Sequence, residues 1–277
     1  MQEQTRIALL GAGWLGEPLA ALLQNTGYQI KAATTSEEKA KRLSQSGWET
    51  YTFRVEADHI DGDVGDFFQS DILILSLPPG GRRNPAVADT YPAKIEQVIR
   101  ACQDGSIRQV IFTSSTGVYG AQNKWVDEDA ALLPNTASGT ALVKVEALLR
   151  DAFAEQLTIL RLAGLVGGER QPGRWFSGRD QLAGGQQYVN LVHRQDVMAI
   201  CQAIIQSGYW GHTLNVCADE HPTKAEFYPS AAQKLGLPAP SFITEPSAES
   251  GKRITNERSK LVPGFAYQYP DPVGFPV

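Results

Sequence analysis

The chain of 277 residues is 42% hydrophobic and 20% charged, and it carries a formal net charge of −5. This composition is ordinary for a globular protein that buries a full core, as one large domain or as a core with a small lobe. The acidic balance and the lack of a basic stripe argue against a nucleic-acid partner, and no stretch reaches the ~18 apolar residues of a membrane span. We therefore expect a small-molecule substrate, no membrane contact, and a monomer or a homodimer.

The three cysteines are Cys102, Cys201 and Cys217, and none of them shows Cys-x-x-Cys spacing. A small, odd number of cysteines without such spacing predicts buried thiols in a reducing compartment, not a disulfide framework or a metal site. The N-terminal residues also lack a signal-peptide pattern. We expect a cytoplasmic protein that holds no metal.

A glycine-rich turn lies near the start of the chain, between a predicted strand at 6–10 and a helical run. Its spacing is G-x-G-x-x-G. In that context the first glycine permits a tight turn, the second lets a pyrophosphate approach the backbone, and the third lets helix and strand pack closely. The helix start adds unpaired N–H groups and a positive dipole end, which suit phosphates. The predicted dinucleotide contacts in this turn are Gly11, Gly13, Trp14, Leu15 and Gly16. The alternative is a plain structural turn.

Short apolar runs alternate with helical stretches over the first 165 residues. Strands are predicted at 6–10, 28–34, 50–55, 71–77, 108–113 and 157–162, and helices at 14–25, 36–46, 91–103 and 138–155. This alternation predicts an α/β fold with a doubly wound parallel Rossmann sheet. Further elements are predicted at 188–192 (strand), 196–206 (helix), 213–216 (strand) and 224–235 (helix).

Two parts of the chain are expected from this pattern. Residues 1–165 form the dinucleotide-binding core, to which 188–216 return, and residues 166–187 and 217–277 form a small C-terminal substrate-binding lobe. Clefts in such sheets form beyond the carboxyl ends of the strands, so the loops that follow several strands should meet there. The further cofactor contacts predicted in those loops are Leu77, Pro78, Ser114, Ala163 and Leu165.

The end of the second strand usually decides which dinucleotide is bound, because a carboxylate there bonds the ribose hydroxyls of NAD. This chain instead has Thr34, Thr35 and Ser36, followed by the cations Lys39 and Arg42. Small hydroxyls with a nearby cation suit the 2′-phosphate, so NADP is preferred over NAD. Ser36 can equally be the N-cap of the next helix, and the two roles are compatible.

Three further segments resemble a known family. Residues 113–120 read TSSTGVYG after an apolar strand, residues 159–167 read ILRLAGLVG, and residues 190–197 read NLVHRQDV. With the glycine turn, these segments resemble the extended short-chain dehydrogenase/reductase family, the NAD(P)-dependent epimerase/dehydratase family, over nearly the whole chain. More closely, the W-L pair inside the glycine turn and the tail at 252–258 (KRITNER) resemble an atypical, YeeZ-like subgroup.

The resemblance implies a catalytic set of Ser or Thr, Tyr and Lys. Ser115 falls at the Ser/Thr position, but the Tyr-x-x-x-Lys pair departs from the family pattern. Aligning Gly139 and Glu146 with the family puts Ser138 at the tyrosine and Leu142 at the lysine. Aligning Lys144 as the lysine puts Thr140 at the tyrosine, so the tyrosine is missing in either register.

A serine hydroxyl is a poor proton donor near neutral pH, and general acid–base help is worth ~10²–10⁴-fold in rate. A substitute donor would have to come from elsewhere. Tyr119 and His193 are the candidates; Tyr119 can equally be a packing residue, and His193 can bond backbone beside a helix start. Asp196 is expected to cap the helix at 196–206.

Charged and aromatic residues cluster after residue 165. Arg174, Trp175 and Arg179 suit an anionic, ring-bearing substrate, because arginine makes bidentate contacts and aromatic rings stack; an ordinary surface loop is the alternative. Arg82 and Arg83 are candidates for a phosphate contact. The expected function is an atypical NAD(P)-dependent oxidoreductase or epimerase/dehydratase-like enzyme on a small anionic or nucleotide-sugar-type substrate. The alternative is a non-catalytic NADP(H)-binding redox sensor or regulatory protein.

Overall fold

The computed structural model describes residues 4–80, 86–243 and 250–276. The strands are β1 (Arg6–Leu10), β2 (Gln29–Thr34), β3 (Glu49–Val55), β4 (Ile60–Gly62), β5 (Ile72–Leu75), β6 (Gln109–Ser115), β7 (Trp125–Val126), β8 (Leu157–Leu162), β9 (Gly164–Val166), β10 (Leu191–His193), β11 (Thr213–Val216) and β12 (Arg253–Ile254). The α-helices are α1 (Gly16–Asn25), α2 (Glu37–Ser44), α3 (Val87–Gln103), α4 (Ala137–Phe153), α5 (Arg194–Ser207) and α6 (Lys224–Lys234). Arg82 and Arg83 lie outside the described residues.

Eight strands form one sheet in the order β11-β8-β6-β5-β1-β2-β3-β4. The pairs β1–β2, β1–β5, β2–β3 and β5–β6 are parallel, whereas β3–β4 is antiparallel. Leu10 lies opposite both Ala33 and Leu75, so β1, β2 and β5 end at one edge of the sheet. This mostly parallel sheet with helical connections confirms the predicted α/β Rossmann class.

The centre of the sheet is buried because its strands there are almost continuously apolar, as strands covered on both faces must be. All four residues of β5 and the last four of β1 are buried. Lys31 in β2 is an exception that the sequence pattern did not signal. Its side chain is only 1% exposed, and its ammonium group donates to the Asp66 carboxylate at 2.6 Å and to the Asp66 carbonyl at 2.8 Å. A buried charge is tolerated here because it is paired and hydrogen-bonded.

Several elements differ from the sequence-based expectation, among them the short strands β7, β9 and β12, which were not predicted. The edge strand β4 was not predicted, because its three residues carry too little apolar pattern. Helix α3 begins at Val87, four residues before the expected start, and it includes Pro92 in its interior. The strand expected at 188–192 is shorter and later, at Leu191–His193, and Tyr188 makes only an isolated bridge to Thr223.

The chain divides into two compact units. The first comprises Met1–Val118, Pro134–Leu160 and Gly208–Thr213, and the second comprises Tyr119–Leu133, Arg161–Ser207 and Leu214–Val277. Within the second unit, β9 pairs with β10 and β7 pairs with β12, both in parallel. The described helices include none that is both long and apolar enough to cross a membrane. All three cysteines are buried and unpaired, as predicted.

Candidate functional site

A cleft of about 490 Å³ opens in the first unit at the edge where β1, β2 and β5 end. It is built from the glycine turn, the ends of β2 and β3, the loop after β5 and one face of α3. The residues that line it are Leu10, Gly11, Ala12, Gly13, Ala33, Thr34, Thr35, Phe53, Arg54, Val55, Leu77, Pro78, Pro79, Gly80, Thr90, Tyr91 and Lys94. Six of the predicted cofactor contacts are among them: Gly11, Gly13, Thr34, Thr35, Leu77 and Pro78.

The three glycines of the turn meet different steric conditions. Gly11 has φ +114°, and a β-carbon on it would lie 2.5 Å from the Ser76 carbonyl oxygen. A β-carbon on Gly16 would lie 2.2 Å from the Gly11 carbonyl oxygen, so only glycine lets α1 start so close to β1. Gly13 is exposed, and a β-carbon there would meet nothing nearer than 4.0 Å. The space beside Gly13 is therefore open to a ligand, while the Gly13 N–H itself donates to the Gly11 carbonyl at 2.7 Å.

Helix α1 begins directly behind this turn and offers its N-terminus to the cleft edge. Leu15 is the N-cap residue and makes no side-chain cap hydrogen bond; the Glu17 N–H donates to the Gly13 carbonyl at 3.0 Å, and Pro18 has no N–H. The first-turn acid Glu17 is engaged by Arg42, which donates two hydrogen bonds of 2.6 and 2.7 Å to its carboxylate. That contact lowers the pKa of Glu17 and occupies Arg42. The positive end of the helix dipole at this start suits a phosphate.

The predicted hydroxyls at the end of β2 divide into two groups. Thr34 and Thr35 line the cleft, whereas Ser36 is the N-cap of α2 and accepts a hydrogen bond of 3.3 Å from the Lys39 N–H. Lys39 donates to the Ala12 carbonyl oxygen and lies 3.9 Å from Glu17. Ser36 therefore caps α2, Lys39 ties α2 to the glycine turn, and neither is among the residues that line the cleft.

Two cations line the cleft that the sequence analysis did not single out. Arg54 is 60% exposed near the end of β3, and its Nε lies 3.9 Å from Glu56. Lys94 on α3 donates to the same Glu56 carboxylate at 2.9 Å, and this contact lowers the pKa of Glu56. The signal for Arg54 was present in the sequence, since it is the exposed residue between buried Phe53 and Val55 in an alternating strand.

The loop after β5 forms the other wall of the cleft. Leu77 is anchored because the Tyr91 hydroxyl donates to its carbonyl oxygen at 2.7 Å. Burial raises the pKa of Tyr91, so this hydroxyl keeps its proton. Pro78 and Pro79 follow and lack backbone donors, which leaves apolar surface and carbonyl oxygens for a ligand.

Ser114 and Ser115 end β6, and both hydroxyls already have partners. Ser114 is buried and donates to the Glu146 carboxylate of α4 at 2.6 Å. Ser115 is half-buried and accepts a hydrogen bond of 3.1 Å from the Gly117 N–H. Helix α4 starts beside this turn: a β-carbon added to Gly139 would lie only 3.0 Å from the Gly117 carbonyl oxygen. The strand end with Ser115 and the helix start with Ser138 therefore share one edge of the first unit.

The two registers for the family's Tyr and Lys positions differ in what they bring to that edge. Leu142 is buried, whereas Lys144 is 47% exposed and pairs with Asp89 of α3 at 2.8 Å. The Lys144 ammonium also donates to the Ala88 carbonyl oxygen at 2.9 Å. Pro92 cannot donate to that carbonyl, four residues before it, so Lys144 supplies the missing hydrogen bond. Lys144 thus joins α4 to α3.

Tyr119 belongs to the second unit, where its hydroxyl is completely buried. It donates to the Asn215 side-chain oxygen at 2.7 Å and accepts from Arg161 at 2.8 Å. Arg161 also donates to the Glu128 carbonyl at 3.2 Å, and the Glu128 carboxylate accepts from the Asn215 N–H at 2.6 Å. Burial raises the pKa of Tyr119. These contacts favour a structural role for this tyrosine.

His193 and Asp196 stand at the start of α5 in the second unit. His193 is buried, its Nδ1 accepts a hydrogen bond of 3.3 Å from the Gln195 N–H, and burial lowers its pKa. The expected capping role of Asp196 is wrong, because α5 already begins at Arg194. The Asp196 carboxylate instead accepts from the N–H groups of Gln268 at 2.8 Å and Tyr269 at 3.3 Å.

The remaining predicted site residues lie in the second unit. Ala163 is buried and its N–H donates to the Val216 carbonyl at 3.0 Å, and Leu165 is half-buried in β9. Arg174, Trp175 and Arg179 are all exposed, in a segment that packs on α6 through Gly173 and Phe176. The guanidinium of Arg179 lies 5.5 Å from the Phe176 ring. The substrate role of these residues stays a prediction.

Comparisons with known proteins bear on this cleft. A sequence-family model described as NAD(P)H-binding matches residues 11–207. The chain is 36% identical over 274 residues to Protein YeeZ of Escherichia coli strain K12, covering 98% of this chain and 99% of YeeZ. UDP-glucuronic acid 4-epimerase from Bacillus cereus in complex with NAD superposes with a TM-score of 0.77 at 16% identity, covering 97% of this chain and 94% of the epimerase.

A second solved structure with the same fold is the Bordetella bronchiseptica enzyme WbmG in complex with NAD. Its TM-score is 0.77 at 18% identity, and the match covers 98% of this chain and 92% of WbmG. At such identities the structures establish the fold, while the family model and YeeZ establish kinship. The chain therefore belongs to the NAD(P)H-binding family, as a homologue of YeeZ with the fold of the epimerase/dehydratase-like short-chain dehydrogenases/reductases.

Proposed function

We propose that this protein is an NADP(H)-dependent enzyme, an oxidoreductase or an epimerase/dehydratase-like catalyst, acting on a small anionic or nucleotide-sugar-type substrate. The observation that carries the proposal is the charge of the cleft wall. Within the described chain, the residues that line the cleft include Arg54 and Lys94 but no aspartate or glutamate. A dinucleotide with an additional phosphate suits such a wall.

The preference for NADP rests on the end of β2 and its neighbour β3. NAD-binding folds place a carboxylate where it can bond both ribose hydroxyls, and a carboxylate there would repel a 2′-phosphate. Here Thr34 and Thr35 offer hydroxyls, and Arg54 comes from the strand paired with β2. Arginine binds phosphate through a planar fork of N–H donors, so Arg54 is the residue we assign to the 2′-phosphate. Gly11, Gly13 and the start of α1 are assigned to the pyrophosphate.

The nicotinamide, when bound, supplies hydride transfer; this chain's own residues must then bind the substrate oxygen and handle its proton. We assign the orientation of that oxygen to Ser115, at the end of β6. Ser138, at the position of the family's tyrosine, is a weak proton donor because its hydroxyl ionises far above neutral pH. The Tyr119 hydroxyl is buried and already makes two hydrogen bonds, so it offers no replacement proton donor.

The substrate class is inferred from likeness. The Bacillus cereus protein with this fold is by name a UDP-glucuronic acid 4-epimerase, and it was solved with NAD. We extend to this chain only the nucleotide-sugar type of substrate, held by the lobe of residues 166–187 and 217–277. We also propose a cytoplasmic location, since three free thiols fit a reducing compartment.

A non-catalytic NADP(H) sensor is the second candidate function. The observation that favours it is the environment of the two positions that can align with the family's lysine. One is the apolar Leu142, and the other is Lys144, which already bonds Asp89 and the Ala88 carbonyl. A protein without the Tyr-Lys pair keeps cofactor binding and loses the acid–base step. Turnover separates the two candidates, because a sensor binds NADPH tightly but oxidises none.

The experiment starts with calorimetric titration of NADPH and NADH, followed by a panel of carbonyl and nucleotide-sugar compounds with loss of reduced-nicotinamide absorbance as the readout. Thr34→Asp should weaken NADPH more than NADH, and Arg54→Met should weaken NADPH about tenfold with little effect on NADH. Ser46→Asp is the matched control, since it adds the same charge at an exposed residue that does not line the cleft.

The outcomes assign the function. Equal weakening of both dinucleotides by Thr34→Asp would reject the NADP assignment. Tight binding without turnover across the panel, and no change in Ser115→Ala, would favour the sensor. No heat with any nicotinamide dinucleotide would reject both candidates.

A further inference from the structure

Three aromatic side chains surround one arginine in the second unit, in a cluster that we call the Trp125 cluster, formed by Trp125, Tyr188, His221 and Arg253. In the pairing of β7 with β12, Arg253 lies opposite Trp125. The guanidinium carbon of Arg253 lies 4.5 Å from the Trp125 ring centroid and 4.7 Å from the Tyr188 ring centroid. The His221 ring packs edge-on against Trp125 at 5.2 Å.

The backbone that carries Arg253 is held firmly on both sides. The Asn190 side chain donates to the Lys252 carbonyl at 2.9 Å and accepts from the Ile254 N–H at 2.9 Å. The Arg253 N–H itself donates to the Lys124 carbonyl at 3.1 Å. A side chain mounted on such a fixed segment, with aromatic rings within stacking distance, loses little freedom when it binds a ligand.

The charge of Arg253 is not neutralised by the part of the chain that the structure describes. Arg42, Arg150 and Arg258 each pair with a carboxylate, whereas Arg253 has no carboxylate partner and its buried Nε has no hydrogen-bond acceptor among described residues. Burial, reinforced by the charge of Arg253, lowers the pKa of His221 to about 4. His221 is therefore neutral at neutral pH and does not offset the arginine.

We propose that Trp125, Tyr188 and Arg253 form a binding site for a small ring-bearing anion, in which a phosphate or carboxylate group meets the guanidinium and the ring stacks on Trp125. Trp125 is 50% exposed, so one part of its indole is open to a ligand. Arginine makes charge-assisted, bidentate bonds to such anions, and an aromatic pair adds stacking energy. The identification of this ligand as the substrate rests on the proposed function; the binding itself does not.

The test uses the full chain and phenyl phosphate as the probe, with inorganic phosphate and phenol as its two halves, each titrated by calorimetry. Phenyl phosphate should bind more tightly than either half. Arg253→Met should weaken phenyl phosphate at least about tenfold, because a charge-assisted bond is lost while the stem still packs between the rings. Arg253→Lys, which keeps the charge but loses the planar fork, should fall between wild type and Arg253→Met. Arg108→Met is the matched control, an exposed arginine of the first unit that does not line the cleft.

Each outcome supports or overturns the proposal. Equal binding of phenyl phosphate by wild type and Arg253→Met, or no saturable binding by wild type, would overturn it. If Arg253→Met lowers the melting temperature and wild type itself does not bind phenyl phosphate, the arginine only holds β7 and β12 together, and the site would be rejected. NADPH titrations in the same variants should be unchanged. Failure of NADPH to bind wild type, with phenyl phosphate still bound, would reject the proposed function and leave this site standing.

Discussion

The cleft of the first unit and the Tyr119 network of the second unit use polar groups in opposite ways. Around the cleft, the N–H groups at the start of α1 have no side-chain cap, and exposed Thr35 and Arg54 line the wall. Around Tyr119, the hydroxyl is bonded on both sides by buried Asn215 and Arg161. The cleft leaves polar groups available to a ligand, whereas the Tyr119 network uses its polar groups in hydrogen bonds within the protein.

This contrast separates the binding residues from the structural ones. Burial favours internal bonding of a polar group, since leaving it unpaired costs about 1–3 kcal/mol. An exposed group at a cleft edge is solvated until a ligand arrives, so it is available for recognition. Identical residue types, a tyrosine hydroxyl or an arginine, therefore have different roles according to burial, which a motif alone does not report.

The largest effect on the cleft is expected from adding a side chain within its glycine turn. Gly16→Ala places a β-carbon against the Gly11 carbonyl, so α1 must move away from β1. We expect a loss of about 1–3 kcal/mol in the free energy of unfolding. We also expect at least tenfold weaker nucleotide binding. Chemical denaturation and calorimetric titration measure the two effects.

Gly13→Ala is the matched control for that variant. Its β-carbon meets nothing nearer than 4.0 Å, so the free energy of unfolding should stay within about 0.5 kcal/mol of wild type. Nucleotide affinity should still fall, because the methyl group occupies the approach to the backbone. Unchanged affinity in Gly13→Ala would contradict the assignment of this turn to the pyrophosphate.

The next largest effect concerns the Tyr119 network. Tyr119→Phe removes the hydroxyl and leaves buried groups of Asn215 and Arg161 each without one partner, which should lower the free energy of unfolding by about 1–3 kcal/mol. Nucleotide affinity, and any turnover per folded molecule, should not change. Tyr28→Phe is the control, because the described residues include no hydrogen-bond partner for the Tyr28 hydroxyl. Turnover lost with stability intact would make Tyr119 a catalytic residue after all.

Elements that are decided locally were predictable from the sequence. The glycine spacing and the apolar run of β1 gave the turn, and periodicity gave the parallel strands. Side-chain partners contributed by distant segments were not predictable: Lys31 is paired by Asp66, and Arg54 reaches the cleft only because β3 lies beside β2. Helix α3 was expected to start near Pro92, whereas Lys144, distant in sequence, bonds the carbonyl that the proline leaves unpaired. Tertiary contacts decided these cases.

Acid provides a smaller test of buried polar groups in the second unit. His221 has its pKa lowered from 6.5 to about 4 by burial. Because the native pKa lies below the unfolded one, the unfolded state binds the proton first as pH falls. The stability that neutral His221 contributes is complete above pH 6.5 and is lost between pH 6.5 and 4. Relative to His221→Phe, wild type should lose ~1–2 kcal/mol between pH 7 and pH 5. Parallel curves of unfolding free energy against pH for the two proteins would contradict this assignment.

The smallest expected effect distinguishes a structural lysine from a displaced catalytic one. Lys144→Met removes an exposed ion pair with Asp89 and the hydrogen bond to the Ala88 carbonyl, and we expect a loss of at most ~1 kcal/mol in the free energy of unfolding. Lys144→Arg, which keeps the charge and a donor, should recover most of it. If Lys144 held the nicotinamide ribose, its removal would instead weaken NADPH binding and leave the free energy of unfolding unchanged. A tenfold loss of NADPH affinity in Lys144→Met would therefore favour the Thr140/Lys144 register. Unchanged affinity would leave Ser138 and Leu142 at the family positions. It would also strengthen the case that this chain transfers the substrate proton without a Tyr-Lys pair.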